Sequence, residues 1–312
     1  MAVPNQPLLI VNPASGRAVG DGRWVHRVIG ALHDAGAKRV EARVTETLAD
    51  AERWAAAAAD DGHDLLLIAG GDGTVAAAAH GVVQGGHDLP IGIIPIGTGN
   101  GLARHLRLPE DPLAAARVSI EGCTVRLDAI DVVSHGRTAL VFVGAGLDAE
   151  INRDANSPTK RRLGRFAYVV AGARRIVGRR NHRVLLTIDG HAEPLLAHAI
   201  SVINAGRFEL AGLDLGPPGD PRDGRLEVAV FRRPGPLQVA GQVVRLLAGR
   251  PTRTELIHAT EVHLACDPPM PVHIDGDIGG ETPLRVRVVP GAMRFVAGRE
   301  FVDPQRERAS AR

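Results

Sequence analysis

The segment from Leu65 to Thr74 constrains the fold more than any other part of this chain. An apolar strand ends there in three glycines around one aspartate, Asp72, and a helix-like stretch follows at 75–83. Glycine lets the backbone approach a phosphate closely, and successive N–H groups before a helix attract anions. Because Asp72 and a phosphate are both negative, the aspartate predicts a Mg²⁺ ion or a proton donor between them.

Two more polar loops follow apolar strands, at Asn12–Gly16 and at Pro95–Gly101. Alone, the first would be interpreted as an ordinary turn between a strand and a helix. Loops after successive parallel strands converge on the carboxyl edge of an open sheet, where such folds bind nucleotides. The candidate nucleotide-binding residues in the three loops are Asn12, Ser15, Gly16, Gly70, Gly71, Asp72, Gly73, Thr74, Gly97, Thr98 and Asn100.

The composition limits the class of protein. The 312 residues predict one large or two ordinary domains, and a hydrophobic content of 45% with only 3% aromatics predicts an aliphatic core. The small net charge of +2 argues against a general nucleic-acid binder. Two cysteines are too few for a disulfide framework and favour a reducing compartment. With no signal peptide and no apolar run of about 18 residues, we expect a cytoplasmic protein.

The chain changes character near residue 124. Strands and helices alternate before it, whereas short strands separated by Gly, Pro and Asp follow it and predict antiparallel β structure. Two helices are predicted within this second part, at Arg165–Val177 and Leu237–Leu247. We therefore expect an α/β domain over residues 1–124 and a β domain over residues 125–290.

Together these motifs resemble the diacylglycerol kinase catalytic family, which includes soluble bacterial lipid kinases and sphingosine kinases. The resemblance covers nearly the whole chain and also rests on Gly144–Ala149 and Asn204–Gly206. It implies an α/β plus β fold, in which an N-terminal nucleotide-binding domain of the NAD kinase and diacylglycerol kinase type precedes a β-sandwich. The lipid would bind in the sandwich, with a cleft between the domains, and residues 291–312 would return to the first domain.

The same resemblance implies the cofactors ATP and Mg²⁺ and adds further site residues. Thr45 is similar to a second nucleotide contact of the family. The turn Asp223-Gly224-Arg225 is similar to a structural Mg²⁺ site of the bacterial members, and its predicted metal residues are Asp223, Asp220 and Arg225. The family has an acidic pair before this glycine, and here the first of the two residues is Arg222.

The predicted catalytic residues are Asp72 and Asp277. Asp277 stands where the resemblance places a glutamate that acts as general base, and it is one methylene shorter. A base must come within about 2.6–3.2 Å of the hydroxyl, so the nearby Glu281 remains an alternative. Without the family context, Asp275-Gly276-Asp277 would be interpreted as a hairpin turn between two strands.

The sequence thus predicts a kinase that transfers the ATP γ-phosphoryl group to a lipid hydroxyl, with diacylglycerol or a related lipid as acceptor. An NAD kinase-like enzyme and a catalytically weak nucleotide- or lipid-binding regulator are the alternatives. The basic segment 160–183 predicts peripheral contact with anionic lipid at the inner membrane surface. Stacking aromatics are scarce, so no nucleic-acid partner is expected. A homodimer is left open.

Overall fold

A computed structural model describes residues 4–16, 23–146, 182–206, 209–210, 213–214, 219–232 and 256–302. The chain divides into two compact units, one of residues 1–129 with 290–312 and the other of residues 130–289. The predicted helices at 165–177 and 237–247, and the basic segment as far as residue 181, lie outside the described residues. None of the helices in the described ranges is long and apolar enough to span a bilayer.

The first unit is built on a parallel sheet. Its elements are β1 (Pro7–Val11), α1 (Arg23–Asp34), β2 (Glu41–Val44), α2 (Leu48–Ala57), β3 (Leu65–Gly70), α3 (Asp72–Gly85), β4 (Ile91–Pro95), α4 (Gly101–His105) and α5 (Pro112–Glu121). The strand order is β2-β1-β3-β4. The C-terminal part of a later strand, β18 (Leu284–Ala297), extends this sheet by pairing Phe295 with Ile91 in parallel. A short helix, α6 (Arg299–Val302), follows β18.

Local sequence explains where the helices of this unit begin and end. Asp111 caps α5 by accepting the Ala114 N–H (2.8 Å), and Pro112 occupies the first helical position, where no N–H is needed. Gly86 ends α3 in the left-handed conformation. Leu9, Leu67 and Ile94 from three strands are fully buried together with Leu32 of α1, so aliphatic side chains form this core, as predicted.

The second unit is antiparallel. Its further elements are β5 (Cys123–Val132, shared with the first unit), β6 (Arg137–Ala139), β7 (Phe142–Gly146), β8 (His182–Ile188), β9 (His191–Ala197), β10 (Ala199–Ile203), β11 (Glu209–Leu210), β12 (Leu213–Asp214), β13 (Leu226–Phe231), β14 (Leu256–Ala259), β15 (Glu261–Asp267), β16 (Pro271–Ile274) and β17 (Asp277–Glu281). One sheet has the order β14-β13-β10-β7-β16-β17, and β18-β15-β8-β9 form part of another.

Both sheets of the second unit contribute to one aliphatic core. Val143, Val202 and Val228 of the first sheet are fully buried in a cluster with Leu264 and Val286 of the other. Strand sequences with alternating apolar residues place those residues toward this core, because successive side chains of a strand point to opposite faces. The α/β plus β fold predicted from the sequence is therefore confirmed.

Candidate functional site

Three polar loops meet at the carboxyl edge of the parallel sheet. Val11, the last residue of β1, lies opposite Ala69 of β3, and Gly70, the last residue of β3, lies opposite Pro95 of β4. The three strands therefore end side by side, and the chain leaves each of them into one of the predicted phosphate loops. The parallel register explains why loops distant in sequence become neighbours.

Side chains of the first loop hold the second loop. The Asn12 amide nitrogen donates to the Thr74 hydroxyl (2.8 Å), and the Asn12 amide oxygen accepts the Ala14 N–H (2.9 Å). Ser15 accepts the Gly71 N–H on its hydroxyl oxygen (3.2 Å). Asn12, Ser15 and Thr74 are thus engaged with neighbouring loops, and they shape the backbone that a phosphate would meet.

The second and third loops approach each other closely through the backbone of Gly71 and Gly97. A Cβ atom added to Gly97 would lie 2.5 Å from the Cα of Gly71, so only glycine fits at position 97. The Asn100 side chain then closes the third loop, accepting the Gly97 N–H (3.0 Å) and donating to the Gly97 carbonyl (2.8 Å). The contact packs the second and third loops tightly together beside the N-terminus of α3.

Asp72 is the first residue of α3, so the helix begins three residues earlier than the sequence predicted. A carboxylate is favoured at this position because the helix N-terminus carries a partial positive charge. The Asp72 carboxylate points toward the third loop, where it accepts the Leu102 N–H (3.4 Å). Its other oxygen lies 2.7 Å from where a Cβ on Gly99 would be. Asp72 therefore links the second and third loops and remains partly exposed.

The remaining predicted nucleotide residues occupy distinct positions. Gly16 lies close to Thr98, because an added Cβ would be 3.1 Å from the Thr98 methyl carbon, and Gly73 lies in the first turn of α3. Thr45 is buried and donates its hydroxyl to the Val11 carbonyl (3.3 Å). Thr45 thus supports the end of β1, whereas Thr98 is exposed at the loop surface.

The second unit presents a different polar cluster at one end of its six-stranded sheet. Asp275 and Gly276 form a two-residue hairpin turn between β16 and β17, with φ values of +49° and +95°. Two positive φ values are typical of a type I′ turn, which favours Asp-Gly. Asp277 follows as the exposed first residue of β17, opposite Ile274. The hairpin predicted from Asp-Gly alone is therefore present, and it carries the proposed base.

The register of this hairpin separates the two candidate bases. Glu281 pairs with Pro271, at the opposite end of the hairpin from Asp277. Four residues of extended strand span about 13 Å, so the two carboxylates belong to different surroundings. The Glu281 carbonyl is a neighbour of His135 Nε2 (3.2 Å), whereas Asp277 is next to the turn.

Comparison with known proteins identifies two domains in the chain. Residues 6–132 match the diacylglycerol kinase catalytic domain, and residues 141–297 match the YegS C-terminal NAD kinase beta sandwich-like domain. The chain belongs to the diacylglycerol kinase catalytic family. It is accordingly an ATP-dependent kinase, as the sequence predicted.

Individual relatives can be aligned with this chain over most of their length. A diacylglycerol kinase of Mycobacterium tuberculosis is 29% identical over 297 residues, covering 93% of this chain and 94% of the relative. A diacylglycerol kinase of Bacillus subtilis is 28% identical over 282 residues, covering 88% and 90%. A crystal structure of a diacylglycerol kinase from Bacillus anthracis has a TM-score of 0.74 at 24% identity, covering 95% of this chain and 98% of that one, and it supports the fold.

The turn that resembles the family's structural metal site holds a guanidinium in this kinase. The Arg222 guanidinium donates from Nε and Nη2 to the two carboxylate oxygens of Asp220 (2.9 and 3.2 Å). The Asp220 carbonyl accepts the backbone N–H groups of Arg222 (2.7 Å) and Asp223 (3.3 Å). Asp223 accepts the Arg225 N–H (2.9 Å). In the parts of the chain that the structure describes, no group of three acidic, His or Cys side chains is arranged to hold a metal. Because the carboxylate oxygens of Asp220 and Asp223 already accept hydrogen bonds within the turn, they fit a structural cation poorly.

Sequence reasoning missed one acidic residue near this turn. Glu227 of β13 is 6% exposed, and its Oε2 atom has no hydrogen-bond partner. Burial, reinforced by the charges of Asp223 and Asp220, raises the pKa of Glu227 to about 7. The available signal was a single acidic residue inside the apolar strand Leu226–Phe231. Its surroundings therefore favour the neutral carboxyl below about pH 7.

Proposed function

We propose that this kinase transfers the γ-phosphoryl group of ATP to the hydroxyl of a lipid, with diacylglycerol as the first acceptor to test. The observation that carries the proposal is the backbone contact of Gly71 with Gly97, held by Ser15, in a chain that belongs to the diacylglycerol kinase catalytic family. The names of the bacterial relatives that match over about nine-tenths of this chain support the choice of diacylglycerol.

The glycine loops of the first unit would bind the ATP phosphates. Gly97 and Gly71 leave no room for a Cβ atom between them, and their N–H groups already donate to Asn100 and Ser15, so the phosphates would meet the N-terminus of α3 that these packed loops frame. Asn12 and Ser15 keep the loops in shape through their contacts with Thr74 and Gly71. These side chains therefore act by positioning the loops.

Asp72 is the residue of this site that fits a Mg²⁺ ion bound with ATP. It offers a partly exposed carboxylate, a hard oxygen donor, beside the proposed phosphate position. Bound Mg²⁺ would neutralise the charge that develops on the transferred phosphoryl group. The Leu102 N–H and the start of α3 orient the Asp72 carboxylate for this role. Asp220, Asp223 and Arg225 are proposed to shape their turn, without a required cation.

Asp277 is the proposed general base. The lipid hydroxyl oxygen forms a bond to the γ-phosphorus, the bond from that phosphorus to the ADP oxygen breaks, and the hydroxyl proton passes to the Asp277 carboxylate. Its exposure at the start of β17 leaves the carboxylate accessible to an acceptor. The products are ADP and a phosphorylated lipid, with no covalent enzyme intermediate.

A lipid acceptor requires the enzyme to reach a membrane surface. We propose that the enzyme works in the cytoplasm and reaches its acceptor by peripheral contact with the inner membrane surface. The nine basic residues between Lys160 and Arg183 support attraction to anionic lipid headgroups.

Phosphoryl transfer to an acceptor panel tests the proposal. The full chain is incubated with radiolabelled ATP and Mg²⁺ in mixed micelles that contain diacylglycerol, a sphingoid base, phosphatidylglycerol or a polyprenol, and NAD⁺ is tested separately. We expect label in diacylglycerol and none with the Gly97→Ala variant. Label only in the product of NAD⁺ would favour the NAD kinase alternative. ATP binding without label in any acceptor would favour the regulator.

A further inference from the structure

Asp275, beside the proposed base, makes an unusually complete set of contacts. Its carboxylate accepts the N–H groups of Leu140 (2.7 Å), Val141 (2.8 Å) and Phe142 (3.0 Å). Its own N–H donates to the Phe142 carbonyl (2.9 Å). Hydrogen bonds to a charged acceptor are about twice as strong as neutral ones, so the three bonds to the carboxylate, together with the backbone bond, fasten the β16–β17 turn to the segment that leads into β7.

Asn204 fastens the same segment from the other side. Its amide nitrogen donates to the Leu140 carbonyl (2.7 Å), and the backbone N–H groups of Asn204 and Ala205 donate to the Val141 carbonyl (2.8 and 3.2 Å). The segment from Leu140 to Phe142 is therefore held between the end of β10 and the end of β16. The turn that carries Asp277 is attached to a fixed support.

The turn fixes where β17 begins. Asp275 has a φ of +49°, as the first position of a type I′ turn requires, and aspartate tolerates this conformation. Because the loop has only two residues, the Asp275 conformation sets the direction in which β17 begins. Asp277 is the first residue of β17, so its Cα position follows from the turn.

The short side chain of Asp277 makes the position of its backbone more important for catalysis. An aspartate has one methylene fewer than a glutamate, so it has fewer torsions with which to correct a displaced backbone. We propose that Asp275 is a positioning residue for phosphoryl transfer, which holds the Asp277 carboxylate in place by clamping the β16–β17 turn to residues 140–142. This inference rests on the proposed function, because it presupposes that Asp277 accepts the proton.

The chain contains a matched control for this clamp. Asp189 and Gly190 form another two-residue turn, between β8 and β9, with φ values of +47° and +86°. The Asp189 carboxylate accepts the N–H groups of Thr260 (2.9 Å) and Glu261 (2.8 Å), and its N–H donates to the Glu261 carbonyl (3.0 Å). The two turns share their construction, but no candidate catalytic residue follows Asp189.

The experiment compares Asp275→Asn with Asp189→Asn in the full chain. Turnover of the lipid acceptor, the KM for ATP and the Tm are measured for each. We expect both variants to lower the Tm, and only Asp275→Asn to lower kcat, by about 10²-fold, because a displacement of about 1 Å can cost that much. The KM for ATP should not change, since the phosphate loops belong to the first unit.

A second comparison separates positioning from general destabilisation. The longer side chain in Asp277→Glu can reach past a displaced turn, so Asp275→Asn should cost at least tenfold less kcat in that background. A purely structural effect would give the same fold loss in both backgrounds. If Asp275→Asn does not fold, Gly276→Ala replaces it, with Gly190→Ala as its control, because alanine strains either turn at positive φ.

Two results would overturn the inference. Equal kcat values for Asp275→Asn and Asp189→Asn would show that Asp275 is a fold clamp only, and so would an identical loss in the Asp277→Glu background. Failure of the proposed function looks different: wild-type enzyme would label no lipid, or Asp277→Asn would turn over normally. If Asp275→Asn has the same kcat as Asp189→Asn, or loses the same factor in the Asp277→Glu background, the assignment of Asp277 as base stands and only the role of Asp275 is lost.

Discussion

The buried carboxyl of Glu227 makes a quantitative prediction about pH. Replacing it by the isosteric glutamine should stabilise the protein at alkaline pH and leave it nearly unchanged under mildly acidic conditions. Glu227 has a side chain that is 8% exposed, with His258 Nδ1 4.0 Å from its Oε1. Glutamine keeps the shape of the neutral carboxyl but cannot ionise, so it isolates the cost of burying the charge.

The sign follows from proton binding. The pKa of Glu227 rises from 4.5 to about 7 on folding, so between these values the folded state holds a proton that the unfolded state has lost. Stability of the wild type therefore falls as pH rises through this window, and the full loss is present above about pH 7. At about 1.36 kcal/mol for each pKa unit, the difference corresponds to about 3 kcal/mol.

Thermal and urea unfolding from pH 4.5 to pH 8.5 measure this effect. We expect the wild-type and Glu227→Gln curves to meet near the acidic end and to separate by about 2–3 kcal/mol at the alkaline end. Glu193→Gln, a change at an exposed glutamate of β9, serves as the control and should run parallel to wild type. Curves for Glu227→Gln that overlay wild type throughout would refute the reasoning. A variant that is less stable at every pH would show that the ionised carboxylate is required.

Three further predictions address the site itself. Gly97→Ala should weaken ATP binding by at least about 100-fold in calorimetry, since its methyl group meets Gly71, whereas Gly30→Ala, with open space around it, should bind normally. Asp277→Asn should lower kcat about 10²–10⁴-fold and leave ATP affinity intact; normal turnover would exclude it as the base. In the absence of nucleotide, the wild-type Tm should be the same in EDTA as in Mg²⁺, because Arg222 already pairs with Asp220. Arg222→Asp removes that cation, so its Tm should fall in EDTA and recover with Mg²⁺. A wild-type Tm that depends on Mg²⁺ would contradict this prediction.

The phosphate loops were predictable because their signals are local. Strand residues 65–69 and the glycines after them predicted both an element and a loop, and a parallel sheet places such loops at one edge. The sequence could not show that Asn12 and Ser15 bond to neighbouring loops, or that Thr45 is buried, because these contacts join residues far apart in the chain. The contact between Thr45 and a nucleotide that the sequence led us to expect stays a prediction.

The acidic residues of the second unit illustrate the opposite case. Sequence reasoning favoured Asp277 as the base and kept Glu281 as the alternative, and the hairpin register places Asp277 beside the turn and Glu281 at the far end of the hairpin. The metal prediction at Asp223 rested on an acidic turn, but it did not anticipate that Arg222 would reach back to Asp220. Charges that are near in sequence can bond to each other, and only coordinates show which do.

The amino-acid sequence by itself determined the family, the α/β plus β fold and the order of the phosphate loops. Those features depend on patterns within ten residues or so: apolar periodicity, glycine placement and the ends of strands. Tertiary structure alone decided the burial of Glu227 and the clamping of residues 140–142 by Asp275 and Asn204. Burial and convergent hydrogen bonds arise from strands that are distant in sequence, so the strength of an acid or the placement of a base emerges only when those strands pair.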